Sequence, residues 1–384
     1  MTDTTSNTPT KSQRILSIDI LRGITIAGMI LVNNPGGPEE DSFTPLTHAE
    51  WIGLTPTDLV FPTFMFIMGI TTYLSLRKFN FTWSKSCARK VAKRAFLLWG
   101  IGLAIALLLT MIRGAVHPDE WHGFGDMFAH LRILGVLPRL GICYGLAAVV
   151  ALSVKHKLIP WLIAILFVGY YIILEFGNGY AHDSSNILAI VDNIVLGADH
   201  TYKWDTPDPE GLLSTLPALG HVLIGFCVGK AIMNLKDLND KIERLFVIGA
   251  ILTLTGVLLA YACPISKKLW TPTFALTTCG IGSTLLALMT WIIDKRHRTG
   301  RITEFFHVFG VNPLALYVLS DLILIPYSII PFFSKQTLQQ VLFKDVFSTF
   351  LPLPWASLLW ACICVMTCWL VGLWLYKKKI YIKL

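Results

Sequence analysis

The chain has 384 residues, of which 54% are hydrophobic and 15% charged, with a formal net charge of +8. A soluble domain carries roughly 25% charged and about 45–50% apolar residues, so the composition excludes an ordinary soluble domain. Apolar runs of around 20 residues, the span of a bilayer core, recur along the chain and predict an all-α polytopic transmembrane helix bundle. The basic excess does not signal nucleic acid. Lys and Arg gather in short clusters between apolar runs, where they set topology and meet the headgroups of the lipid bilayer.

The tail 1–13 is rich in Thr and Ser and is expected to be disordered. Residues 14–384 read as a single integral membrane domain without a clear internal repeat. The first apolar run lacks a small-residue cleavage pattern and is long enough to span, so it reads as a first helix rather than a signal peptide. About ten spans are predicted: 14–34, 57–77, 94–112, 132–154, 158–177, 212–233, 245–263, 271–293, 305–330 and 353–376. Most of the Lys and Arg fall in alternate connections, densest over 77–94. The positive-inside rule therefore puts both termini in the cytoplasm and the connection bearing His48 outside. Cys143, Cys227, Cys279, Cys362, Cys364 and Cys368 lie in apolar runs. Buried free cysteine behaves as a small hydrophobe, so no disulfide framework and no zinc site is expected.

The most polar interruption joins the first two spans, from Asn33-Asn34-Pro35-Gly36-Gly37 to Thr47-His48-Ala49-Glu50-Trp51 and on to Pro62. Thr55, Pro56 and Asp58 have the spacing of a helix start, with Thr55 as N-cap and Asp58 in a capping box. Asp58 is therefore assigned a structural role. The positive end of that helix would face the His48 loop. The later outer connections, 113–131 and 178–211, are rich in aromatic and acidic residues. Trp204, Asp208 and Glu210 suit a sugar, particularly one bearing an ammonium group; an interfacial aromatic belt is the other reading. The spacing of His117, His122 and His130 fits no ligand pattern, and no metal is expected.

Ionisable groups inside spans are costly and face the bundle interior. Asp19 and Arg22 stand three residues apart on the first span. They form a mutual pair, or Arg22 receives an anion from the inside. Arg132 and Arg139 share a face near Pro138, which disrupts the local backbone and points to a cavity lining. His221 reads as a satisfied core histidine. Asn312-Pro313 and Asp321 combine polar groups with a helix irregularity in the ninth span, where a buried inter-helix hydrogen bond is the plainer account.

Several of these segments resemble the heparan-α-glucosaminide N-acetyltransferase family. The match runs from Asp19-Ile20-Leu21-Arg22-Gly23 through Val32-Asn33 and His48-Ala49-Glu50-Trp51-Ile52-Gly53-Leu54-Thr55 to Asp58-Leu59-Val60-Phe61-Pro62 and Phe66-Ile67-Met68-Gly69. Gly135-Val136-Leu137, Arg139-Leu140-Gly141, Asp208-Pro209-Glu210-Gly211 and Asn312 follow in the same order. The resemblance implies transfer of acetyl from cytoplasmic acetyl-CoA to a glucosamine amino group on the opposite side. It puts the catalytic His on His48 and its partner on Asn33. His48 is then either a general base or an acetyl-carrying nucleophile, and Asn33 orients the ring or binds the oxyanion. Arg22, Arg139 and Asn312 are the candidates for holding acetyl-CoA. The chain lacks the long extra N-terminal domain of lysosomal members, so a bacterial inner membrane is expected. The resemblance also suggests a homodimer. The acceptor stays open, between free glucosamine, a glycan end and a peptidoglycan fragment. Two rivals remain: a sugar or anion transporter, which would be expected to show inverted repeats, and an O-acyltransferase of an envelope polysaccharide.

Overall fold

The computed structural model describes residues 15–116, 123–333 and 336–382. The Thr/Ser tail at 1–13, and His117 and His122, lie outside the described residues. In chain order the helices are α1 (Leu16–Val32), α2 (Val60–Arg77), α3 (Lys85–Val116), α4 (Phe124–Ala129), α5 (Val136–Ser153), α6 (Ile159–Phe176) and α7 (Ile187–Val195). They continue as α8 (Thr215–Met233), α9 (Leu238–Leu259), α10 (Pro272–Met289), α11 (Arg301–Val311), α12 (Pro313–Ile329), α13 (Leu338–Gln340) and α14 (Leu353–Lys377). A short antiparallel hairpin, β1 (Pro331–Phe333) with β2 (Gln336–Thr337), precedes α13.

Among the described residues, eight helices are long and apolar enough to cross a membrane, or nine if the bent pair α11 and α12 forms one span. The shortfall from about ten has two physical sources. α1 has only 17 residues, about 26 Å of helix at 1.5 Å per residue. The run expected to span as 305–330 is broken at Asn312, where α11 and α12 meet at 85°. Pro313 causes the break, since it cannot donate into the preceding turn. α3 departs in the other direction. Its 32 residues carry Lys85, Arg89, Lys90, Lys93 and Arg94 on the helix itself, where a loop was expected.

α2 is the centre of the bundle, buried almost continuously from Phe61 to Ile70 and packed against α1, α5, α8 and α10. Glycine makes the α2–α8 contact close. A Cβ on Gly69 would lie 2.1 Å from the Val222 carbonyl oxygen, and one on Gly225 would lie 2.2 Å from that of Phe66. Such small-residue contacts let backbones approach where lipid supplies no hydrophobic drive between helices. Polar contacts join the rest. Asp294 accepts the Leu16 and Ser17 backbone N–H groups at 3.2 and 3.3 Å and so caps α1. The buried His221 ring stands 2.8 Å from the Pro62 carbonyl oxygen and donates to it from Nε2, as a core histidine. On the outside, α6 and α9 expose Trp161, Ile165 and Val168, and Ile251, Leu254 and Leu258, the surface that hydrocarbon covers.

Candidate active site

The loop between α1 and α2 is pinned at both ends. The Gly36 N–H donates to Ser357 Oγ of α14 at 3.0 Å. Gly53 has φ +129°, a backbone region that favours glycine, and its N–H donates to the Ile265 carbonyl at 2.8 Å. That second bond holds the His48 loop against the α9–α10 connection, which carries Lys267.

His48 Nδ1 lies 2.7 Å from Asp58 Oδ1. The other carboxylate oxygen, Oδ2, accepts the N–H groups of Ala49 and Thr55, each at 3.1 Å, and stands 3.0 Å from the Thr55 hydroxyl. Asp58 therefore makes only its own half of the expected capping box, accepting the Thr55 N–H. The Thr55 hydroxyl turns to the Thr47 carbonyl and does not cap the helix. The other carboxylate oxygen has a second task, orienting the imidazole. The helix start also differs in detail, because a short 3₁₀ turn (Thr57–Leu59) precedes α2. Asp58 is fully buried, whereas the His48 side chain is 36% exposed. A carboxylate at Nδ1 favours the tautomer protonated there, which leaves the lone pair for proton transfer on Nε2.

A third member, absent from the sequence reading, completes the group. Lys267 Nζ lies 2.9 Å from His48 Nδ1, 3.1 Å from Nε2 and 3.5 Å from Asp58 Oδ1. Burial draws its ammonium below the ordinary lysine range, against the pull of the Asp58 and Glu210 carboxylates. A signal for it exists in the sequence: Lys267 and Lys268 are cations kept on the side that the topological bias depletes.

Two polar layers surround this group. Trp51 stacks on His182 with ring centroids 4.1 Å apart and donates to the Tyr180 carbonyl at 2.9 Å. His182 reaches Asp205 at 2.6 Å, and Asp205 also binds Lys268 at 2.6 Å. In the second layer, Arg132 holds both oxygens of Asp208, reaches Glu210 Oε2 at 2.6 Å and stacks over Tyr202 at 4.5 Å. The Tyr202 and Glu210 N–H groups also donate to Asp208. Asp208 thus receives four donors and organises its loop, while Glu210 keeps one oxygen outside these bonds. Trp204 is 79% exposed on the same loop.

Asn33 ends α1 with its side chain exposed, and among the described residues that side chain makes no hydrogen bond to His48. Arg139 is enclosed in the first turn of α5. Its Nη2 donates to the Gly211 carbonyl at 3.0 Å and to Ser214 Oγ, and its guanidinium stacks over Trp270 at 5.3 Å. Arg22 pairs with Asp19 at 2.5 Å and donates to the Gly310 carbonyl at 2.7 Å, and it also lines a cavity. The pairing with Asp19 leaves Arg22 in the cavity wall. The Asn312 side-chain amide is taken at both ends by the C-terminal backbone. It donates to the Ile380 carbonyl at 2.9 Å and accepts the Ile382 N–H at 2.8 Å.

The cavity holding Arg22 opens at the other end of α2. It encloses about 510 Å³ and brings together Arg22, Lys90, Lys93 and Arg94, with Ile382 and Pro313 in the wall and no Asp or Glu among the described lining residues. A narrower apolar cavity between Phe64, Met68, Leu98 and Leu140 continues from it and shares Arg22 and Arg94. Phe64, Met68, Thr71 and Ser75 line these two spaces in succession. Their spacing puts them on one face of α2. Asp58 lies six residues before Phe64, about 9 Å along the helix axis.

The arrangement is that of a polytopic α-helical membrane protein with a His–Asp–Lys group at one end of its central helix and a basic cavity at the other. The family model described as Heparan-alpha-glucosaminide N-acetyltransferase, catalytic, matches residues 14–264. The chain belongs to that family. It is 27% identical over 367 residues to the heparan-alpha-glucosaminide N-acetyltransferase of Homo sapiens, covering 79% of this chain and 52% of that protein. To the enzyme of that name from Mus musculus it is 26% identical, covering 80% of this chain and 53% of that protein. The chain spans about half the length of these curated relatives.

Proposed function

We propose that the protein is a membrane acetyltransferase that receives acetyl-CoA at the basic cavity and transfers acetyl to the amino group of a glucosamine-type sugar at the His48 loop. One observation carries the reading: the His48–Asp58 pair stands at the start of α2 and the four-cation cavity at its other end. The names of the human and mouse relatives support the reaction class. The concentration of Lys and Arg at the cavity end supports a cytoplasmic donor side and an acceptor on the far side. A bacterial inner membrane is the location proposed.

The cavity residues fit an anionic donor. Arg94 stacks over Tyr144 at 4.4 Å, and its buried Nε has no hydrogen-bond partner among the described residues. A half-buried guanidinium with an open donor suits a phosphate oxygen. Arg22, Lys90 and Lys93 would meet the remaining charge, while the apolar extension past Phe64 and Met68 suits a slender uncharged arm. Bound there, acetyl-CoA supplies an activated thioester.

At the outer end, Asp58 holds the proton on Nδ1, and Nε2 takes the proton that the sugar amine loses as its nitrogen bonds to the acetyl carbon. The carbon–sulfur bond of the thioester breaks, and the CoA thiolate that leaves takes up that proton. Glu210 would receive the sugar's ammonium before transfer, and Trp51 offers an aromatic face beside it. Asn33 would donate to the acyl oxygen, a contact typically worth about 3–4 kcal/mol in the transition state.

The test is acetyl transfer in membranes given labelled acetyl-CoA and glucosamine. Wild-type protein should release CoA and form N-acetylglucosamine, and His48→Ala should form none while folding normally. Full activity in His48→Ala would sink the assignment, and sugar uptake without acetyl transfer would favour a transporter.

A further inference from the structure

The amine of Lys267 stands 2.9 and 3.1 Å from the two ring nitrogens of His48. That is hydrogen-bond reach of the imidazole that is to serve the acceptor's own primary amine. An acyl group presented to this ring is therefore presented to Nζ as well, and close positioning of a nucleophile and an acyl carbon is what speeds such a transfer. The groups facing Nζ are Asp58, 3.5 Å away, and the more distant carboxylates of Glu210 and Glu39, all of which favour its ammonium. Desolvation opposes them and favours the neutral, nucleophilic amine. Lys268 differs although it is the next residue, being bound to Asp205 Oδ2 at 2.6 Å.

We infer that Lys267 occupies the position of the acceptor amine and is itself acetylated on Nζ when acetyl-CoA is present without an acceptor sugar. The inference rests on the acetyltransferase reading. Neutral Nζ bonds to the acetyl carbon, the carbon–sulfur bond of the thioester breaks, and the proton leaving Nζ ends on sulfur as the CoA thiol. Where His48 carries the acetyl group, the acyl–imidazole bond breaks instead and the ring nitrogen takes the proton. The product is an amide, too unreactive to pass acetyl onward, and the positive charge beside Asp58 and His48 is gone. Acceptor sugar protects the site by filling it, so the carboxylates that keep Lys267 charged preserve activity when sugar is scarce.

The experiment incubates purified full-length protein with labelled acetyl-CoA, with and without glucosamine, maps acetyl-lysine by peptide mass spectrometry and assays N-acetylglucosamine formation on the same samples. Label is expected on Lys267 and not on Lys268, although the Lys268 side chain is the more exposed, 23% against 16%. Glucosamine should suppress it. Wild type preincubated without sugar should lose activity progressively, and Lys267→Arg should carry no label at that position and show no time-dependent loss. A preparation that forms N-acetylglucosamine yet carries no label on Lys267 overturns the inference and leaves the enzymatic reading standing. So does equal labelling of Lys268, which marks indiscriminate chemical acetylation. A protein that labels Lys267 but forms no N-acetylglucosamine upholds the inference and overturns the sugar acceptor. A protein that does neither overturns both.

Discussion

His48 and Asp58 are joined by a 2.7 Å hydrogen bond while the second oxygen of Asp58 holds the backbone of Ala49 and Thr55. One buried carboxylate therefore fixes both the imidazole and the turn that carries it. Asp58→Asn keeps the shape but removes the charge that selects the Nδ1–H tautomer. Acetyl transfer should fall by roughly 10²- to 10⁴-fold, the usual contribution of a positioned acid–base group. The loss should appear in kcat, with the KM values for both substrates little changed. A drop confined to KM would assign Asp58 to binding rather than to the imidazole.

The four-cation cavity gives a separate prediction for the other end of α2. Arg94→Gln removes a buried charged donor and should cost about 1.5–3 kcal/mol of anion binding. That raises the KM for acetyl-CoA by about 10- to 100-fold at unchanged acceptor KM. Lys93→Gln, at a more exposed position on the same wall, should do less and should lose most of its effect at high salt, where exposed charges are screened. Equal effects on donor and acceptor KM would show that the cavity is not the donor site.

The membrane class and most spans were legible because hydropathy and charge position are properties of short windows of sequence. His48 was legible through its resemblance and through its place in a polar interruption. Lys267 stood out only as one of two cations against the charge bias, which does not single it out from Lys268; its pairing with His48 was not legible, because that partner lies 219 residues away. Asp58 was half legible. Its cap is local, three residues from Thr55, but its bond to His48 depends on how the loop folds back. The break at Asn312 was visible as Pro313, yet its 85° angle and the docking of the C-terminal backbone on Asn312 are tertiary facts.

Close contact of α2 with α8 predicts sensitivity far from any reacting group. Gly69→Ala would place a methyl 2.1 Å from the Val222 carbonyl oxygen and 2.8 Å from the Phe226 nitrogen. Backbone atoms cannot swing aside as a flexible side chain can, so the helices must separate. Overpacking of this kind costs typically about 1–3 kcal/mol. The detergent-solubilised variant should melt below wild type and lose activity through the displaced α2. A thermal midpoint equal to wild type would mean that the two helices are free to shift.

Asp192 on α7 provides a test by pH. It is 1% exposed; Oδ1 accepts the Leu212 N–H at 2.7 Å, and its buried Oδ2 has no hydrogen-bond partner among the described residues. Burial pushes its carboxyl up to about 6, more than the Leu212 bond offsets, and the nearby Asp208 adds to the rise. The folded state therefore holds the proton more tightly than the unfolded chain, whose carboxyl titrates at the ordinary 3.8. Between those values the folded state binds more protons, so stability from this group falls as pH rises from about 4 to 6 and stays low above. Asp192→Asn keeps an oxygen for Leu212 and cannot ionise. The variant should gain thermal stability relative to wild type at pH 7, and the gain should shrink to nothing near pH 4. Thermal midpoints of the two proteins across that range check it, and a difference independent of pH would show that Asp192 is ionised at no cost in the fold.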